Sequence, residues 1–309
     1  MRVVVFGAGA VGSLLGAGLA GAGHDVTLVA RGAQLEALRS QGLVVEGSPP
    51  LRVRTVERIP HGTGADLVLL TVKSYDVESA GRAIAAGFPQ PLPLFALQNG
   101  LGIEAALLAG LRAGGWPDPS AWVVRGVHTV PARLVRPGVV RATGNGELVL
   151  GQNPAIPDIT ERLREALTGA GYVVHVSDAI DREVWRKALV NAAINPVTAD
   201  HGIANGRIVE DPWRGQAMAL LAEALEVAAA EGFRFDPREA ERAVFGVARA
   251  TAQNRSSMLE DLDHGRPTEV DAISGAILRA GRAHGLPMLA TERAVVRVRT
   301  REAERPARP

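Results

Sequence analysis

The chain has 309 residues, 34 basic and 33 acidic side chains, a net charge of +1 and no cysteine. That length suggests about two domains with ample cores. The near-neutral balance gives no reason to expect nucleic acid or an anionic membrane surface as partner, and the lack of cysteine excludes disulfides, metal thiolates and thiol nucleophiles.

Residues 3–23 carry no charge, yet seven of them are glycine and almost no basic head precedes them. A leader peptide or a spanning helix is therefore not expected, and the chain reads as cytoplasmic. Val3–Phe6 is a short β-branched run of the kind buried in parallel sheets. Gly7-Ala8-Gly9-Ala10-Val11-Gly12 follows at once, then a helix of small residues over 13–22. This is G-x-G-x-x-G with a strand before it and a helix after it. The first glycine allows the tight turn, the second lets the backbone approach a pyrophosphate, and the third lets helix and strand pack closely. A second strand over 25–29 closes on Val29-Ala30-Arg31. Sites that prefer NAD place an acid there for the ribose 2′-hydroxyl; a guanidinium instead suits a 2′-phosphate, so NADP(H) is the expected cofactor. The same arginine at this position is also what a plain surface charge looks like.

Short strands are expected at 43–46 and 51–55 around Gly47-Ser48-Pro49-Pro50. Asp66–Val72 is another buried strand, and Lys73 follows it at the carboxyl edge, where ligands bind in open α/β sheets. The next strand, 94–97, ends in Gln98-Asn99-Gly100, which puts Asn99 at the same edge. Strands over 122–130, 139–142 and 147–150, a helix over 158–170 and a strand over 172–176 complete the first domain, 1–177. Helical patterns alone then follow, at 180–195, 212–231, 237–252, 269–284 and 288–299, so the second domain is 178–309. The fold class expected is an α/β Rossmann-type N-terminal domain followed by an all-α C-terminal domain. Arg297–Pro309 reads as a solvated helix end and tail.

Only two of the 34 basic residues are lysine, Lys73 and Lys187. In a chain that uses arginine for almost every positive charge, lysine suits work that needs a compact donor able to give up its proton. Lys187, Asn191 and Asn195 stand four residues apart, one stripe drifting about 40° per step. The neighbouring Ala, Leu, Val and Ile positions call for burial, and Pro196 is expected to end the helix near Asn195. The stripe fits either a solvent-facing edge or a ridge presented to a ligand. Asn254-Arg255-Ser256-Ser257 has the form of a helix break and a serine-capped start, with Glu260 placed for a capping box. Thr268-Glu269-Val270-Asp271 is expected to open the next helix, where acids are favoured without any functional role.

The glycine motif, Arg31, Lys73, Gln98-Asn99-Gly100, Trp185-Arg186-Lys187 with Asn191 and Asn195-Pro196, Asn254 with Ser256-Ser257-Met258, and Thr268-Glu269-Val270-Asp271 together resemble ketopantoate reductase (2-dehydropantoate 2-reductase) from Met1 to about Arg299. The Lys-x3-Asn-x3-Asn-Pro helix is the specific part; the glycine motif is widespread. The resemblance implies reduction of 2-dehydropantoate to (R)-pantoate with NADPH, on the route to pantothenate and coenzyme A. It implies Lys187 as general acid, with Glu269 at the nicotinamide end of the cofactor and orienting Lys187. Asn99 would contact the cofactor near the reacting carbon and help fix the carbonyl. Asn191, Asn195, Asn205 and Asn254 would line the substrate pocket, and Ser257 would bind the substrate carboxylate. Residues 7–12, Arg31 and Lys73 would hold the dinucleotide, with Ala132 near it through its backbone. The match departs at Asp76, where the best-matching members have glutamine, and over Val127–Pro137. No metal is expected. A paralogue acting on another 2-oxo acid, or a non-catalytic NADP(H)-binding sensor, would share the glycine turn and Arg31. The sensor has no need of Lys187, Ser257 and Glu269 together. A homodimer is permitted by the apolar helical domain and not required.

Overall fold

In the computed structural model, residues 1–304 are described and divide into two compact units. The first comprises residues 1–98 and 103–180, the second residues 99–102 and the chain from Asp181 onward. The passage into the helical unit thus falls three residues beyond Ser177, and one short loop from the first half is counted with the second.

The first unit is built on β1 (Arg2–Phe6), α1 (Ala10–Gly21), β2 (Asp25–Val29), α2 (Gly32–Gln41), β3 (Val44–Val45), β4 (Arg54–Val56), β5 (Leu67–Leu70), α3 (Val77–Gly87), β6 (Leu94–Ala96) and α4 (Ile103–Ala113). It continues through β7 (Val123–His128), β8 (Ala132–Arg136), β9 (Val139–Ala142), β10 (Glu147–Leu150), α5 (Pro157–Gly169) and β11 (Val173–Val176). Eight strands form one sheet in the order β11-β10-β7-β6-β5-β1-β2-β4, parallel except where β10 meets β7. Val3 faces Val26 on one side and Leu67 on the other, so the apolar runs read in the sequence lie side by side. The chain steps from β1 to β2 in one direction and returns to β5 on the opposite side of β1. That reversal opens a crevice beyond the carboxyl ends of β1 and β5, where Gly7 and Lys73 begin. Buried Val3, Val5, Leu15, Leu28, Leu67 and Leu69 belong to the core that holds α1 to this sheet.

The strand β8 was not expected. It pairs antiparallel with β9, which pairs in parallel with β3, making a separate three-stranded sheet. Its alternation is masked because Arg133 and Arg136 stand on a mostly exposed strand whose register shifts between Leu134 and Arg136. The expected strands at 43–46 and 51–55 shrink to β3 and β4, which pair with different sheets and meet only through a bridge between Leu43 and Leu51.

The second unit comprises α6 (Ile180–His201, counted from Asp181), α7 (Trp213–Ala230), α8 (Pro237–Ala250), α9 (Ser257–Asp263), α10 (Ser274–Ala283) and α11 (Leu289–Ala303). Its core gathers Trp185, Leu189, Ile194, Leu221, Phe245, Ile277 and Val298 among others. Two expectations are corrected. The first helix does not end at Asn195 but runs through Pro196 to His201. Proline removes one backbone bond, yet Ile194, Val197 and Ala199 are buried in the core on either side of it. The Thr198 hydroxyl also donates to the carbonyls of Ile194 and Asn195, at 3.0 Å each. The other correction is at Glu269: residues 269–273 form a turn, with the Glu269 carbonyl accepting from the amides of Ala272 and Ile273, and the helix begins only at Ser274. The expected tail beyond Glu304 lies outside the described residues. No described helix is long and apolar enough to cross a membrane.

Candidate active site

In the first unit the glycine turn has the geometry its spacing implies. Gly7 adopts a left-handed φ of 113°, and a Cβ built there would stand 2.7 Å from the Val72 amide nitrogen. A Cβ at Gly12 would overlap both the Gly7 carbonyl and the Thr71 hydroxyl. At Gly9 a Cβ would meet nothing within 4 Å. Two glycines are thus required by close packing and the middle one faces open space, the side from which a pyrophosphate would approach. Ala10, Val11 and Gly12 form the first turn of α1, where backbone amides lack partners within the helix and no acid stands among them. The residues present therefore fit a dinucleotide's diphosphate.

Three side chains that the sequence did not single out stiffen this turn. The Gln34 amide donates to the Ala8 carbonyl at 2.9 Å and to the Ser13 hydroxyl at 3.3 Å, while its carbonyl accepts from the Gly138 amide at 2.8 Å. Ser13, fully buried, donates to Ala8 as well, at 3.1 Å. The Thr71 hydroxyl donates to the Gly7 carbonyl at 2.8 Å. Gln34 and Thr71 reach the turn from distant positions with no signature in local spacing, although Thr71, just after β5, carried a positional hint; Ser13 lies only five residues beyond Ala8.

Arg31 stands just ahead of α2, and its guanidinium donates to the Asp76 carboxylate at 2.7 Å. Lys73 follows β5 and heads the 3-10 turn Ser74–Asp76. Ala132 begins β8, where it pairs with Ala142 and packs half-buried against the core of this unit.

In the second unit the polar stripe grades inward. Lys187 and Asn191 are half-buried, and Asn195 is only 5% exposed. A stripe that descends from half-buried into the core is not a solvent-facing edge along its whole length. One turn on, the Thr198 and Ser256 hydroxyls are hydrogen-bonded at 2.7 Å, Ser256 donating because the one Thr198 proton goes to the carbonyls of Ile194 and Asn195. Ser256 caps α9, accepting from the Leu259 amide at 3.2 Å, which leaves Ser257 exposed at the first helical position. With Ser256 as cap, Glu260 lies one residue beyond the capping-box position. Asn205 is buried; its amide donates to the Thr251 hydroxyl at 3.0 Å and its backbone N–H to the Asn254 carbonyl at 2.9 Å. The Asn205 side-chain oxygen has no hydrogen-bond partner, so this pair of asparagines keeps an acceptor in reserve.

Asn99 and Glu269, 170 residues apart, are joined directly: the Asn99 amide donates to the Glu269 carboxylate at 3.0 Å. The Leu101 amide donates to the Ala272 carbonyl at 2.9 Å, and a Cβ at Gly100 would overlap the Ala272 backbone. The Asn-Gly pair is therefore more than a chain reversal; glycine is needed because two turns meet backbone to backbone. Glu269 is 5% exposed, and the Asn99 side-chain oxygen is buried without a hydrogen-bond partner. A carboxylate is thus held in place beside an acceptor that can still take a donor.

Fold and site together define a dinucleotide-binding α/β protein carrying a helical unit with a lysine–asparagine ridge. Residues 3–155 match the family described as "Ketopantoate reductase PanE/ApbA", and residues 179–302 match "Ketopantoate reductase PanE/ApbA C terminal". The chain is 39% identical over 290 residues to the 2-dehydropantoate 2-reductase of Archaeoglobus fulgidus, covering 92% of each chain. It is similar to the crystal structure of a PanE/ApbA family ketopantoate reductase from Ralstonia eutropha JMP134, with a TM-score of 0.88, 31% identity and coverage of 98% and 99%. It also shares its fold with a D-mandelate dehydrogenase, at a TM-score of 0.90 and 23% identity, with 98% of each chain covered. The chain belongs to the ketopantoate reductase family, whose members are nicotinamide-dependent oxidoreductases acting on CH–OH groups.

Proposed function

We propose that this chain reduces 2-dehydropantoate to (R)-pantoate with NADPH, in the cytoplasm, on the route to pantothenate and coenzyme A. The observation that carries the reading is the ridge on α6, a lysine and two asparagines descending from half-buried to buried on an otherwise apolar helix. The domain over 1–177 holds the dinucleotide through residues 7–12, Arg31 and Lys73, with Ala132 near it. The domain over 178–309 holds the oxo acid.

The bound cofactor supplies a hydride to the C2 carbon. As that bond forms, the carbonyl π pair moves onto oxygen and an alkoxide develops. The Lys187 ammonium stabilises that charge and gives its proton to the oxygen, leaving a hydroxyl; the lysine amine then regains a proton from water. Asn191, Asn195 and Asn205 donate to the oxygens of the substrate, with Asn254 beside them, and Ser257 takes the carboxylate at the start of α9. Asn99 fixes the carbonyl and Glu269 orients the ammonium and the nicotinamide end of the cofactor.

The test is steady-state turnover of a panel of 2-oxo acids with each nicotinamide cofactor. The reading requires the highest kcat/KM for 2-dehydropantoate with NADPH; a better bulky or aromatic 2-oxo acid would make the chain a paralogue of different substrate.

A further inference from the structure

The cation expected to read the adenosine 2′ group does not stand by itself. The Arg31 side chain is 81% exposed, yet its Nη2 donates to Asp76 Oδ2 at 2.7 Å. Asp76 is the better anchored of the two, at 28% exposure. Its backbone N–H donates to the Lys73 carbonyl at 3.0 Å, and its carbonyl accepts from the Ser79 hydroxyl at 2.9 Å. The carboxylate is thus fixed by the turn after β5, and the long Arg31 side chain reaches to it.

In NAD sites an acid at the end of the second strand accepts from the ribose 2′-hydroxyl. Here that strand ends in Arg31, and the acid reaches the same place from another strand. We propose that Asp76 is a cofactor-specificity residue: by holding Arg31 it brings a carboxylate to where the 2′ substituent is read, weakening selection for a 2′-phosphate and leaving an acceptor for the 2′-hydroxyl of NADH. This rests on the dinucleotide reading given above. A guanidinium has five N–H donors, so the pair penalises a phosphate without shutting it out. The pair is exposed and screened, so the effect is one of several-fold rather than thousands.

The test is equilibrium titration of the wild type, Asp76→Asn and Arg31→Ala with NADPH and NADH, followed by cofactor fluorescence without substrate. In Asp76→Asn, NADPH should bind about 5- to 20-fold more tightly, NADH should bind no better, and the gain should shrink at high salt. The melting temperature should barely move, because the exposed pair contributes little to folding. An unchanged NADPH-to-NADH ratio, or weaker NADPH binding, overturns the role of Asp76. If at the same time Arg31→Ala selectively weakens NADPH, the reading of Arg31 stands and only this inference fails. If Arg31→Ala leaves the ratio unchanged, Arg31 does not read the phosphate, and both fall together.

Discussion

Asn99 and Glu269 are hydrogen-bonded at 3.0 Å although 170 residues separate them, and the bond joins the turn after β6 to the turn before α10. It pairs a neutral donor with a carboxylate that is almost wholly buried. Removing the donor leaves that carboxylate less well satisfied, a loss of about 1–3 kcal/mol. Asn99→Ala should therefore lower stability by that order in denaturant unfolding. It should also lower kcat by about 10- to 100-fold, within the usual range for losing a positioned polar group. A loss of stability with full turnover would confine this bond to architecture.

The glycine turn gives a paired prediction. Gly9→Ala adds a methyl where nothing lies within 4 Å, so folding should be unaffected while dinucleotide binding weakens. Gly12→Ala drives the same methyl into the Gly7 carbonyl and the Thr71 hydroxyl, and should destabilise the protein by about 1–3 kcal/mol or more. Melting temperatures and NADPH titrations of the two variants separate the effects. Equal melting temperatures would contradict the packing argument.

At the other end of the site, Ser256→Ala removes the cap of α9 and the partner of the Thr198 hydroxyl. Loss of the cap alone costs about 1 kcal/mol. Because α9 presents Ser257 from its first turn, KM for the oxo acid should rise more than kcat falls. A change confined to kcat would argue against carboxylate binding at this helix start.

Alkaline stability should depend on Tyr172. Its hydroxyl donates to the Leu14 carbonyl at 2.7 Å, and burial pushes its pKa up from 10.0 to about 12. A folded-state pKa above the unfolded one gives stability that is fully present below pH 10 and lost as pH rises towards 12. Tyr172→Phe should flatten that part of the unfolding profile, although it also removes the hydrogen bond at all pH values. Phenolate absorbance in the wild type minus that of the variant should place the ionisation near pH 12; a midpoint near 10 would contradict the burial argument.

Much of this was legible because the signals are local. The strands β1, β2, β9 and β10 lie within a residue of where their apolar runs put them, since a buried parallel strand or a short alternating one carries its own period. The glycine spacing specified a turn whose steric demands the structure reproduces at Gly7 and Gly12. What stayed hidden depends on distant partners. Nothing near Gln34 in sequence points to Gly138, and nothing near Arg31 points to Asp76. The passage of α6 through Pro196 is a tertiary override: burial of Ile194, Val197 and Ala199 on both sides outweighs one missing backbone bond. At Glu269 the acidic helix-start pattern misled, because that residue's carbonyl closes a turn and its carboxylate accepts from Asn99 instead of facing a helix N-terminus.

The central claim is that Lys187 delivers the proton in the reduction of a 2-oxo acid. The measurement that tests it most directly is NADPH oxidation with 2-dehydropantoate by the wild type and by Lys187→Ala, with NADPH affinity determined separately for each. The account predicts one NADPH consumed per pantoate formed by the wild type, and a fall in kcat of about 10²- to 10⁴-fold in the variant, with NADPH binding retained. Undiminished turnover in Lys187→Ala would contradict it.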